Sequence, residues 1–71
     1  MSYELTNDEK IGIVEQHIKN LQYSKFNIEM SLVEESASVP VRQSSVDELE
    51  LQLINIDAKI ASLMDELETL N

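Results

Sequence analysis

The chain predicts an all-α fold: a two-helix antiparallel hairpin, coiled-coil-like, that completes a four-helix or larger bundle when copies associate. Three observations carry that reading. Aliphatic residues recur three and four apart in both halves, the heptad spacing of helices that pack along a seam. Between the halves lies Ser36-Ala37-Ser38-Val39-Pro40-Val41-Arg42-Gln43-Ser44-Ser45, which holds the only proline among its serines. The two stripes are also mirror images about that segment.

A first helix is expected over about 7–35. Thr6-Asn7-Asp8-Glu9 opens it with a capping box, in which the Thr6 hydroxyl accepts from the Glu9 N–H and the Glu9 carboxylate reaches back to the Thr6 N–H. Asp8 and Glu9 also favour the positive end of the helix dipole. The stripe that follows is Ile11, Val14, Ile18, Leu21, Ile28 and Leu32, with Lys25 standing where the pattern calls for an apolar residue. Gly12 lies inside this helix and costs about 1 kcal/mol relative to Ala.

The loop is expected over about 36–45. Pro40 lacks an N–H and pushes Val39 towards an extended backbone, so a continuous helix here would be costly. Ser45-Val46-Asp47-Glu48 then repeats the start signal and sets a second helix over about 46–70. Its stripe has no gap: Val46, Leu49, Leu53 and Ile56, then Ile60, Leu63, Leu67 and Leu70 fill every a and d position.

Closing the loop lays these stripes against each other as one hairpin core. Leu32 meets Leu49, Ile28 meets Leu53, Leu21 meets Ile60, Val14 meets Leu67 and Ile11 meets Leu70, and each pair of numbers sums to 81. The midpoint falls between Pro40 and Val41, inside the expected loop, so punctuation and periodicity agree on one domain over 1–71. A second row, Tyr23, Phe26, Met30 and Val33, recurs on the far face of the first helix and is matched on the second by Leu51, Ile54, Ala58 and Ala61. Two helices dry a shared stripe from one side only. The chain is therefore expected to form a homo-oligomer, a dimer of hairpins first, with Tyr23, Phe26, Met30 and Val33 as the interface. A competing arrangement zips second helices together between chains.

Composition narrows the function. The 71 residues hold 14 Asp and Glu against 5 Lys and Arg, a net charge of −9, and no Cys. That balance disfavours direct nucleic-acid binding, which rests on cations neutralising phosphates. Without Cys there is no disulfide framework and no thiolate metal cluster. The acidic opening MSYELTNDEK lacks the basic start and apolar run of a secretory signal, and no stretch approaches a membrane span; a cytoplasmic protein is expected.

No residue set points to catalysis, a cofactor or a metal, so an enzyme is not expected. His17, the only histidine, sits at the rim of the first stripe near Glu15 or Glu66; a solvated or carboxylate-bonded side chain is the expected role. Lys25 should snorkel its amine out of the seam towards Asp57 or Glu29. Glu34, Glu35, Asp47, Glu48 and Glu50 gather at the loop end with Arg42 to offset them, a solvated acidic end that a hard cation or a basic partner could also use.

The opening MSYELTNDEKIGIVEQHIKNLQYSKFNIEMSL resembles short proteins encoded by tailed phages of marine cyanobacteria. Those share a similar YELTN start, a QHIKNL-like segment, a Y-S-K-aromatic-N stretch and a helical second half. No activity or functional residue comes with the resemblance. It implies a small accessory protein in an infected host cytoplasm or in a particle. The expectation is a non-enzymatic assembly or adaptor protein. The alternative is an acidic inhibitor of DNA-mimic type that binds a basic nucleic-acid-binding protein.

Overall fold

A computed structural model describes residues 3–71 as two long helices packed against each other, α1 over Asn7–Ser36 and α2 over Gln43–Leu70. Among the described residues there is no strand. The hairpin is a rod of 62 × 16 × 15 Å.

Each helix end shows why it forms where it does. At the start of α1 the Thr6 N–H donates to Glu9 Oε1 at 3.0 Å and the Glu9 N–H donates to Thr6 Oγ1 at 3.2 Å, a complete capping box. The Thr6 bonds favour the charged form of Glu9 and hold its carboxyl below the usual glutamate range. The far end closes without a glycine: Ala37, still right-handed, donates its N–H to the Val33 and Glu34 carbonyls, and Ser38 donates from both its N–H and its hydroxyl.

The start of α2 departs from the expected position. The loop is confined to residues 37–42, and the helix begins at Gln43 rather than near Val46. Ser45 does not cap it. Arg42 is the N-cap residue, extended at φ −94° and ψ 99°, and makes no side-chain capping bond; its carbonyl accepts from the N–H of Ser45 and Val46. Gln43 donates from its side chain to Asp47 Oδ1 at 2.8 Å, tying the first turn together. The three-residue extension places Val46 a full turn inside the helix, where it is buried. Val39–Pro40 is a cis peptide, and Asn71 closes the last turn of α2 by donating to the Leu67 carbonyl.

The seam follows the stripes. Val46, Ile56 and Ile60 are buried at 7–8% exposure, and the other eleven stripe residues are half-buried. The antiparallel register is pinned by Lys25, whose Nζ lies 2.8 Å from Asp57 Oδ1 and which is itself half-buried. That bond and the nearby charge hold the Lys25 amine above its usual range. None of the side chains described is dried completely, because each helix covers the stripe from one side.

Candidate interaction surfaces

The row expected as an oligomer interface lies open on α1. Tyr23 is 63% exposed, Phe26 59%, Met30 40% and Val33 61%. The Lys19 ammonium lies 5.5 Å from the centre of the Tyr23 ring, one turn away, which extends the row by a cation at its N-terminal end. The i, i+4 spacing of Lys19 and Tyr23 allows that pair, which the periodicity of the apolar stripes does not single out. On α2, Leu51 and Ile54 are exposed at the same distance from the loop, and Ala58 and Ala61 continue their face. The α1 row sits in the half of the rod nearer the loop, whereas the α2 row starts in that half at Leu51 and Ile54 and passes mid-rod at Ala58 and Ala61.

Met64 and Ile13 are also exposed, outside both the seam stripes and the outer rows. Met64 borders a shallow cleft with Ile18, Leu67, Glu15, Lys19 and Gln22.

His17 opens onto a different edge. It lines an open cleft of about 560 Å³ between the helices with Asn20, Leu21, Ala58, Lys59, Ser62 and Leu63. Glu15 and Glu66, its expected partners, do not line that cleft. Leu21, Ala58 and Leu63 give the cleft its apolar lining, and His17, Asn20, Lys59 and Ser62 its polar one.

Glu34, Glu35 and Glu48 border one cleft with Ser31, Ser45 and Gln52, while Asp47 is held by Gln43. Arg42 donates from Nε to Glu35 Oε1 at 3.3 Å, which answers the negative charge at the C-terminus of α1. Among the described residues no group of three or more His, Cys, Asp or Glu is arranged to hold a metal ion. Among them too, no helix is long and apolar enough to cross a membrane.

No family model, curated protein or solved structure matches the chain.

Proposed function

We propose that this chain is a non-enzymatic helical assembly or adaptor protein that self-associates through its apolar outer faces and acts in the cytoplasm of an infected bacterium. The observation that carries the reading is the exposed row Tyr23, Phe26, Met30 and Val33, opposite a seam that is itself only partly dry. Scattered surface apolars are ordinary, but two aromatics, a methionine and a valine in helical spacing form a continuous stripe. Covering that stripe would remove apolar area from water, the dominant favourable term in association. The phage resemblance of the first half supports the setting. Sedimentation at micromolar concentration tests the core of the proposal: a helical species of more than one copy is expected, and a stable helical monomer would overturn it.

A second reading rests on α2, where Asp47, Glu48, Glu50, Asp57, Asp65, Glu66 and Glu68 are all exposed and Lys59 is the one cation. A rigid acidic helix of this kind suits an inhibitor that occupies a basic nucleic-acid site. Capture of a basic protein at low salt and its release at high salt would favour this reading over self-association.

A further inference from the structure

Resting on the self-association proposed above, we propose that copies join head to tail, the outer row of α1 in one hairpin seating on the outer row of α2 in the next. Two features of the surface choose this contact over a two-fold one.

The first is volume. Laid antiparallel so that paired numbers sum to 84, Phe26 falls on Ala58 of the neighbour and Tyr23 on Ala61, while Met30 meets Ile54 and Val33 meets Leu51. Each aromatic ring is set against an alanine, and aliphatic meets aliphatic, which is how facing helices interdigitate at close approach. Pairing the α1 row with itself sets Phe26 on Met30 and Tyr23 on Val33, large against large throughout. The same antiparallel register places Lys19 level with Asp65 of the neighbour, opposite charges at the end of the row, and both side chains are exposed.

The second is direction. At 100° per residue, the outer row of each helix lies about 150° round from its own seam, in the same rotational sense on both helices. A closed square of four helices needs contact faces about 90° apart. Faces about 150° apart instead line helices up side by side in a shallow arc. Because the docking face and the receiving face differ, each added copy offers a fresh face, and growth continues until a ring closes or a filament extends. All loops then point to the same end.

Phe26→Glu and Ala58→Glu separate the two faces, and both sites are exposed in the hairpin. Sedimentation velocity reads size and circular dichroism confirms that each variant stays helical; the pair Phe26→Gln and Ala58→Gln replaces any variant that does not. The wild type is expected to exceed a dimer and to grow with concentration. Each variant alone is expected to be monomeric at concentrations where the wild type assembles, a weakening of at least tenfold. An equimolar mixture is expected to stop at a dimer, because one variant retains an intact α2 row and the other an intact α1 row. The inference is overturned if Ala58→Glu alone still dimerises, if the mixture stays monomeric, or if the wild type halts at two copies. A monomeric wild type overturns the self-association reading itself.

Discussion

Gly12 and Lys25 show how single residues hold this hairpin below its attainable stability. Gly12 is helical, has no positive φ, and a Cβ placed on it would meet nothing within 4 Å. Its cost is the conformational freedom of the unfolded chain together with the poor helix propensity of glycine. Gly12→Ala should stabilise by about 1 kcal/mol, which for a domain this small raises the melting midpoint by about 4–8 °C. Thermal denaturation at fixed protein concentration checks it; a loss of stability would mean that position 12 is covered in the assembled state. Lys25 is the one non-aliphatic residue in the run of a and d positions from Ile11 to Leu32. Its bond to Asp57 is partly open to solvent, where ion pairs contribute little, whereas an aliphatic side chain there would lie level with buried Ile56. Lys25→Ile should therefore raise the urea midpoint. It should also loosen the register, because the pair is the specific polar tie between the helices at mid-rod. Loss of dispersion in amide chemical shifts alongside a higher midpoint would show both effects, and a lower midpoint would show that the ion pair outweighs the burial.

At the level of the helices, what the sequence made legible was local or periodic. The capping box at Thr6 and Glu9 involves residues three apart, and the seam repeats every seven, so both can be read without knowing the fold. The half-burial of all eleven remaining stripe residues follows from the same repeat. The start of α2 was not legible, because Arg42 at its N-cap makes no side-chain capping bond and so leaves no residue-type signature there. Nor was the cleft onto which His17 opens, since the direction of a rim side chain depends on its rotamer and not on spacing. Both caps lead to tests. The carboxyl of Glu9 is held low by its bonds to Thr6, so the contribution of the charged box is present above the ordinary glutamate value of about 4.3 and is lost as pH falls through the lower folded value. Glu9→Gln keeps the box geometry without the titration, and its stability should fall less than wild type between about pH 5 and pH 2. Equal losses in the two proteins would show that other carboxylates govern the acid limb. At α2 the extended backbone of Arg42 already suits a capping side chain. Arg42→Ser gains a cap worth about 1 kcal/mol and gives up a bridge from a largely exposed guanidinium that contributes less. Chemical denaturation should show stability unchanged or higher; a clear loss would mean that Glu35 depends on Arg42 to sit at the end of α1.

For the molecule as a whole, charge and shape oppose each other during assembly, and salt separates their contributions. Each hairpin carries −9, so bringing copies together concentrates like charge. In the head-to-tail register one flank brings Glu34 and Glu48 of the neighbour together, two residues off level and both exposed, while the Lys19–Asp65 pair at the end of the row is the attractive counterpart. Repulsion between whole molecules acts over longer distances than one favourable pair, and added salt shortens that reach, the Debye length falling to about 10 Å at 0.1 M. Self-association driven by Tyr23, Phe26, Met30 and Val33 should therefore tighten several-fold between about 0.02 and 0.2 M NaCl, because burial of apolar area persists while repulsion is screened. An acidic surface that imitates phosphates responds in the opposite sense, since its affinity for a basic partner comes from the charges that salt screens. Sedimentation equilibrium across a salt series reads the sign for the homo-oligomer. If association weakens as salt rises, contacts such as Lys19 with Asp65 dominate the interface and the apolar rows do not, which would remove the physical basis for placing the rings of α1 on the alanines of α2.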